Sequence, residues 1–273
     1  MNILNQDKQE IAISGLVEGL SIRSVERMTG IHRDTSMRLT VRIGENCAKL
    51  LDETMRGLSC KYLELDEIWC FVGKKQRHLK GADNPNDLGD QWVFVAIDAE
   101  SKLIPSYKVG KRNLATAYDF LADLSNRVNN HVQLSSDSLS AYVEAVEMSF
   151  GAGVDYGQVV KTYEGEPIGP GRYSPPKVIA ADRFIITGQP QIDKISTSYV
   201  ERNNLTMRMQ MRGFTRLTNA FSKKLDNLKA AVVLHFAHYN YARIHGSLRV
   251  TPAMEAGISD HPWAINDLVS LGD

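Results

Sequence analysis

The chain contains no long hydrophobic run and no excess of charge of either sign. No apolar stretch approaches the roughly 20 residues that a membrane-spanning helix needs, so we expect no membrane partner. Lysine plus arginine and aspartate plus glutamate each number 32, which gives a formal net charge of zero. Proteins that bind nucleic acid are often basic overall. Any surface for nucleic acid must therefore be a local feature of this sequence.

Cysteine is also scarce, and its spacing excludes two common classes of small domain. The three cysteines, Cys47, Cys60 and Cys70, form no CxxC pair. This argues against a zinc ribbon and against a disulfide framework. The first ten residues, MNILNQDKQE, are polar and unlike a signal peptide. Together these features predict a reduced, cytoplasmic setting.

The first part of the chain has the pattern of a helix-turn-helix. Three short helices are predicted between residues 7 and 43, with Ser21 capping the second and Thr29-Gly30 forming the turn before the third. A separate connecting helix is expected to end near Gly57. The predicted third helix carries three arginines that suit contact with DNA: Arg33, Arg38 and Arg42. The alternative is a small helical bundle that packs against the rest of the chain and binds nothing.

After residue 60 the pattern changes to strands and helices in alternation. The stretches KYLELDEIWCFVG, QWVFVAID and KLIPSYKVG predict a three-strand meander. The order that follows is helix, strand, helix, strand, helix. This predicts an α/β fold with a ribonuclease-H-like mixed sheet of five strands flanked by helices. We expect a helix-turn-helix domain over 1–58, a catalytic domain over 59–250 with an insertion around 151–195, and a C-terminal tail over 251–273.

Three acids far apart in sequence are candidates for a metal site. Asp66 lies inside the first strand, Asp137 follows the strand VQLSS, and Glu201 begins a late helix. The first and fourth strands are neighbours in a ribonuclease-H-like sheet, so these carboxylates are expected to converge. Carboxylates are the ligands that Mg²⁺ prefers, and two such ions suit phosphodiester chemistry.

Each of these acids also has a structural reading. Glu201 falls three residues after Ser198, which fits a capping box, and Asp137 could cap the next helix. An acid inside an apolar strand is costly to bury without a partner, which favours a functional role for Asp66. The rival acids are Asp98, which also fits a turn, Asp182 and Asp193.

The stretch YVERNNLTMRMQMRGF predicts a long cationic helix from 199 to 214. No acid occurs between residues 202 and 224, whereas solvated helix faces usually mix both signs of charge. We therefore expect this helix to follow a DNA backbone beyond Glu201. The predicted DNA-binding residues in and just after this helix are Arg202, Asn204, Arg208, Arg212, Arg216 and Lys223. A basic loop adds Lys74, Lys75 and Arg77.

Three stretches of the sequence resemble one enzyme family. LDEIW, SSDSLSAY and YVERNNLTMRMQMRGFTRLTNAFSKK resemble the corresponding motifs of the bacterial DDE transposases of the insertion-sequence-one family. The resemblance covers roughly residues 15 to 255. The chain departs from the family in three ways: it lacks an N-terminal cysteine-rich zinc element, it has Ser138 where Gly is usual, and it has a longer stretch between Asp137 and Glu201.

The resemblance implies a ribonuclease-H-like catalytic domain behind a helix-turn-helix, with Asp66, Asp137 and Glu201 as metal ligands. The implied function is a DNA transposase that cleaves the 3′ ends of an insertion sequence and joins them to target DNA. The expected cofactor is two Mg²⁺ ions, which Mn²⁺ could replace. The expected partners are element-end DNA, target DNA and further copies of the chain in a dimer or larger assembly, at the bacterial nucleoid. The alternatives are a non-catalytic DNA-binding regulator derived from a transposase and a structure-selective nuclease of the same fold.

A few histidines and polar residues near the end of the chain are weaker candidates. His235 and His238 are three apart on a predicted helix, which fits a metal site or, more simply, a partly buried pair. Asn240, Arg243 and His245 follow and are candidates for contact with DNA or the scissile phosphate.

Overall fold

The structure is a computed structural model that describes residues 4–164, 178–215 and 218–272. It is a mixed α/β fold in which helices flank a mixed sheet of six strands in the order β3-β2-β1-β4-β5-β6. This arrangement is compatible with a ribonuclease-H-like fold. The strands are β1 Tyr62–Val72, β2 Gly89–Asp98, β3 Ser106–Gly110, β4 Val132–Ser136, β5 Val154–Tyr163 and β6 Val178–Thr187.

Helices cover both ends of the chain and connect the later strands. Those before and within the sheet are α1 Gln6–Val17, α2 Ile22–Thr29, α3 Arg33–Thr54, α4 Leu114–Ser125 and α5 Ser140–Phe150. Those after the sheet are α6 Ser198–Gln210, α7 Leu225–Ala237, α8 Pro252–Glu255 and α9 Ile265–Val269. No helix of the described ranges is both long and apolar enough to cross a membrane.

The centre of the sheet follows the predicted connections. β1, β2 and β3 pair in antiparallel fashion, as a meander requires. β1 then pairs with β4 in parallel, and the last pair of that register joins Leu65 to Ser136. Because β1 continues beyond this point while β4 ends, the residues that follow Leu65 and Ser136 lie side by side at one edge of the core.

The predicted strand number was wrong, since the sheet has six strands rather than five. The additional strand, β6, pairs with β5 in antiparallel fashion, and all ten of its residues are exposed. The β5–β6 ladder holds β6 in place without burial of one face. A strand of this kind shows no alternation of buried and exposed positions, so periodicity gives a weak signal for it. Both β5 and β6 fall within the stretch 151–195 that was expected to be an insertion.

The N-terminal helices pack against the C-terminal part of the chain. The predicted third helix and the connecting helix form one continuous helix, α3, of 22 residues, so the expected break between them was wrong. Gly44 at its middle lies against α7, where an added Cβ would be 2.9 Å from the Cα and the O of Ala230. Ser21 does cap α2, since its Oγ accepts a hydrogen bond from the Ser24 backbone N–H.

The helix that starts near Tyr199 is shorter than predicted. α6 ends at Gln210, and Arg212–Phe214 forms a 3₁₀ turn. The Thr215 hydroxyl donates a hydrogen bond to the Arg208 carbonyl at 3.0 Å and so occupies a carbonyl of the last turn. Arg212 therefore does not extend the row of Arg208 along one helix, and Arg216 lies outside the described residues.

α7 continues into a π-helical turn over His238–Ala242. Asn240 in this turn is fully buried and exchanges hydrogen bonds with the backbone N–H and carbonyl of Ile104, both at 3.0 Å. It therefore holds the π-helical turn to the loop between β2 and β3, and its side-chain amide is occupied by that contact. His235 and His238 are both buried, and neither belongs to a metal-ligand cluster in the described part of the chain.

Candidate metal centre

The pairing of β1 with β4 places Asp66 beside Asp137. Oxygen atoms of Asp66, Glu67 and Asp137 all lie within 4.8 Å of one another, and we call these three residues the acidic cluster. Two of its members come from adjacent positions of β1, and the third directly follows β4. The parallel register thus brings together carboxylates that are some 70 residues apart in sequence.

Asp66 is the most strongly perturbed member of the acidic cluster. Its Oδ1 accepts a hydrogen bond from the Glu67 backbone N–H at 2.8 Å, and its Oδ2 accepts one from the Asn204 amide at 2.8 Å. Burial, and then the negative charges of Glu67, Asp137 and Glu201, raise the pKa of Asp66 to about 7. No cationic side chain of the described residues forms an ion pair with it. A cation would relieve this repulsion.

Glu67 belongs to the cluster but was not among the predicted site residues. It is 8% exposed, and its carboxylate accepts hydrogen bonds from Arg112 Nε at 2.6 Å and from the Tyr142 hydroxyl at 3.2 Å. Burial is the main cause of its raised pKa, and Asp137 contributes. The signal in the sequence was the Asp-Glu pair itself, because a second acid inside an apolar strand is costly to bury and needs its own partner.

Asp137 contributes to the cluster from the loop between β4 and α5. Its Oδ1 accepts a hydrogen bond from the Leu139 backbone N–H at 3.0 Å. α5 starts only at Ser140, with Leu139 as its N-cap residue, so Asp137 is not the helix cap that we considered. Its carboxylate is partly exposed and is free to accept further bonds.

Glu201 lies outside the acidic cluster. Its Oε1 accepts hydrogen bonds from Thr197 Oγ1 at 2.6 Å and from Lys161 Nζ, which also forms an ion pair with it. The capping box with Ser198 is absent, because Thr197 is the N-cap residue and makes no side-chain capping bond. The structure thus brings Asp66 and Asp137 together and leaves Glu201 bound to Lys161. Its charge still contributes to the raised pKa of Asp66.

The rival acids lie elsewhere and have simpler roles. Asp98 is buried at the end of β2, where its Oδ2 accepts hydrogen bonds from the Ser101 backbone N–H at 2.8 Å and from the Ser101 hydroxyl at 2.6 Å. It therefore shapes the turn before β3. Asp182 on β6 and Asp193 in a 3₁₀ turn are exposed.

Some of the predicted basic residues of the N-terminal helices and the loop are exposed, and others are already bonded to side chains of the protein. Arg33 and Arg38 are exposed on α3, whereas Arg42 donates a hydrogen bond to Gln9 of α1. Lys74 forms an ion pair with Asp83 inside its own loop at 2.9 Å. Lys75 and Arg77 are exposed.

The predicted basic residues around α6 also separate into two groups. Arg202, Arg212 and Lys223 are exposed. Asn204 is buried and binds Asp66, so it is part of the support of the acidic cluster. Arg208 is partly buried, and its guanidinium donates to the Phe214 carbonyl at a long 3.5 Å.

The possible metal-ligand atoms of the acidic cluster suit a hard divalent cation. All three are carboxylates, and neither histidine nor cysteine joins them among the described residues. Such a set suits Mg²⁺ or Mn²⁺ better than zinc, which favours nitrogen and sulfur ligands. Burial, and then the negative charges of neighbouring carboxylates, raise the pKa of Asp66, and a bound metal ion would neutralise that charge.

The comparisons with known proteins return little. No protein-family model matches the chain, and no curated protein matches it. Among solved structures, the Mos1 transposase paired-end complex with left transposon end matches with a TM-score of 0.23 and 14% identity. The match covers 53% of this chain and 56% of that one, so it spans little more than half of either. A score this low carries no argument about this chain.

Proposed function

We propose that the protein is a DNA transposase that cleaves and joins phosphodiester bonds with the help of divalent metal ions. The observation that carries this proposal is the acidic cluster, in which Asp66 and Asp137 converge from two parallel strands. The sequence motifs around Asp66, Asp137 and Glu201 support the same function by their resemblance to DDE transposases.

In this proposal Asp66 and Asp137 hold the metal, with Glu67 beside them. When bound, a divalent cation would activate an attacking oxygen and stabilise the charge on a leaving one. Asn204 keeps the Asp66 carboxylate oriented, and Arg112 does the same for Glu67. These contacts fix the carboxylates before substrate arrives, which lowers the reorganisation needed for binding.

Glu201 would enter the site only after it releases Lys161. The two side chains lie at the first turn of α6 and on β5, and both are partly exposed. A DNA phosphate could take Lys161 as its counter-ion, because an ammonium group binds phosphate as readily as carboxylate. We propose this exchange of partners as the step that completes a three-carboxylate site.

DNA is proposed to approach over the exposed basic residues. Arg33 and Arg38 lie on α3, and Arg202, Arg212 and Lys223 lie around α6. Such contacts bind the backbone without reading its sequence. Because a transposon has two ends, each needing a catalytic site, we further propose at least two copies of the chain in the active assembly.

The direct experiment combines cleavage and joining assays with three variants. Duplex oligonucleotides would carry the DNA that flanks the coding region, with a supercoiled plasmid as target. Asp66→Asn and Asp137→Asn each remove one carboxylate charge of the cluster. Asp193→Asn is the matched control, since Asp193 is exposed and does not belong to the acidic cluster.

We expect the wild type and Asp193→Asn to cleave and join DNA in the presence of metal. In both cluster variants the cleavage rate should fall at least 100-fold, which is the scale of loss when a key electrostatic group is removed from an active site. DNA binding should persist in all four proteins. Cleavage without joining would favour a structure-selective nuclease. Binding without any cleavage by the wild type would favour a regulator and contradict the proposed activity.

A further inference from the structure

A second polar site lies beside α6, outside the acidic cluster. A cleft of about 430 Å³ opens between α6, the turn after β2 and the segment that follows the π-helical turn. Neighbouring residues of α6 face the two sites: Asn204 binds Asp66, and Asn203 lines the cleft. We call this space the basic cleft.

The walls of the basic cleft carry positive charge and, among the described residues, no acidic side chain. Lys102, Arg202, Arg243 and His245 line it. The guanidinium groups of Arg202 and Arg243 make no hydrogen bond or ion pair within the described part of the chain, and Nη1 of Arg243 is buried. Arg243 therefore has a donor that is shielded from water and lacks an acceptor.

Two further residues show that this charge is concentrated and fixed in place. The ammonium group of Lys102 lies 3.2 Å from the centre of the Tyr199 ring, and the Lys102 side chain is largely buried. Burial, and then the charges of Lys102, Arg243 and Arg202, lower the pKa of His245. The three cations thus lie close enough to His245 to act on it.

Asn203 supplies an independent sign that a ligand belongs in the cleft. This residue is only 3% exposed, yet neither its Nδ2 nor its Oδ1 has a hydrogen-bond partner. Buried polar groups are nearly always paired, because an unmade bond costs stability. A buried asparagine that faces a cationic cleft is well placed to donate from Nδ2 to an anion.

We propose that the basic cleft binds a phosphate group. Arginine suits phosphate because its planar fork offers two parallel N–H bonds. Arg243, Arg202 and Lys102 would balance the charge, and Asn203 would add a neutral donor. The phosphate could belong to a DNA strand that runs past α6 from the acidic cluster, which would extend the proposed function, or it could be a free phosphate or pyrophosphate.

The test measures binding without metal, so that it does not depend on cleavage. Arg243→Gln and Asn203→Leu would be compared with wild type and with Lys229→Gln, which changes an exposed lysine of α7 outside the cleft. One arm would titrate labelled single-stranded and duplex oligonucleotides by fluorescence anisotropy at several salt concentrations in EDTA. The other would titrate inorganic pyrophosphate by calorimetry. Thermal denaturation would monitor folding.

We expect Arg243→Gln to weaken binding of at least one probe by roughly tenfold. If the probe is duplex DNA, the slope of log binding constant against log salt concentration should also become shallower by about 0.9, because one phosphate contact is lost. Asn203→Leu should weaken the same probe without lowering the melting temperature, because it removes two unpaired polar atoms. An effect on DNA identifies a strand phosphate, and an effect confined to pyrophosphate identifies a free one.

Binding of both probes at wild-type strength by Arg243→Gln would overturn the proposal, and so would a wild type that binds neither probe. Should Asn203→Leu fail to fold, Arg243→Gln alone decides, because its side chain is only partly buried. Failure of the cleavage assay leaves this result untouched, so the two proposals can fail separately.

Discussion

Asn204 on α6 donates a hydrogen bond to Asp66 on β1, with 2.8 Å between Nδ2 and Oδ2. A second contact joins the same two elements. The buried Glu64 accepts hydrogen bonds through Oε2 from the backbone N–H groups of Tyr199 at 2.7 Å and Val200 at 3.0 Å. An acid at a helix N-terminus binds otherwise unpaired N–H groups and meets the positive end of the helix dipole. Helix α6 is thus fixed to the strand that carries the acidic cluster.

The contact of Asn204 with Asp66 predicts that Asn204→Ala weakens metal binding. We expect the affinity for Mn²⁺, measured by calorimetry without DNA, to fall about tenfold or more, as happens when a residue that orients a ligand is removed. Asn219→Ala, at an exposed position, is the control and should bind as wild type does. Equal affinities for the two variants would show that Asn204 does not orient the cluster.

The ion pair of Lys161 with Glu201 predicts that Lys161→Met strengthens Mn²⁺ binding. The substitution removes the positive charge that pairs with Glu201 and so releases the Glu201 carboxylate. We expect an increase of roughly threefold to tenfold, which is about 1 kcal/mol and typical of one partly exposed charge. The double variant Lys161→Met with Glu201→Gln separates the two causes. If the released Glu201 carboxylate is the cause, the double variant binds Mn²⁺ no more tightly than Glu201→Gln alone; if loss of the Lys161 charge is the cause, Lys161→Met strengthens binding in the Glu201→Gln background as well.

The buried pair His235 and His238 predicts a loss of stability in mild acid. Burial lowers the pKa of His235 to about 3, and it also lowers the pKa of His238. Unfolded histidine titrates near 6.5, so below that pH the unfolded chain binds more protons than the folded one, and the free energy of unfolding falls as pH decreases. For His235 alone the loss should be about 2 kcal/mol at pH 5.

Urea denaturation at pH 7.5 and pH 5 would measure this difference. In His235→Leu the free energy of unfolding should differ between the two pH values by about 2 kcal/mol less than in the wild type, since leucine takes up no proton. His261→Leu is the control because His261 is exposed. An unchanged difference in His235→Leu would mean that His235 is already protonated in the folded protein or accessible to water.

The approach of α3 to α7 predicts that Gly44→Ala destabilises the fold. Alanine should favour the helix by about 1 kcal/mol, but its Cβ would be 2.9 Å from backbone atoms of Ala230. Backbone atoms cannot rotate away, so we expect a net loss of about 1–3 kcal/mol in urea denaturation. Gly15→Ala on α1 is the comparison, because there the Cβ meets only side-chain atoms of Leu20 and Val25 at 3.2 Å. A smaller loss for Gly44→Ala than for Gly15→Ala would contradict this account.

Local patterns in the sequence were sufficient for the elements whose signals are local. The meander of β1, β2 and β3, the neighbourhood of β1 and β4, and the cap at Ser21 were all predicted and are present. The meander and the cap depend on residues a few positions apart, such as alternating apolar residues or a hydroxyl before a helix. The neighbourhood of β1 and β4 was predicted instead from the order of the elements, which is that of a ribonuclease-H-like sheet. β6 was missed because it is held by its ladder with β5 and buries no face.

The sequence by itself determined that Asp66 lies inside one strand and that Asp137 directly follows another, because the positions of strands follow from local runs of apolar and β-branched residues. Only the tertiary structure decided which carboxylates meet. It placed Glu67 in the acidic cluster, bound Glu201 to Lys161 and turned Asn204 toward Asp66. These contacts depend on side-chain direction and on how α6 packs across the sheet. Both result from the summed burial and charge of residues far apart in the chain, which no local pattern contains.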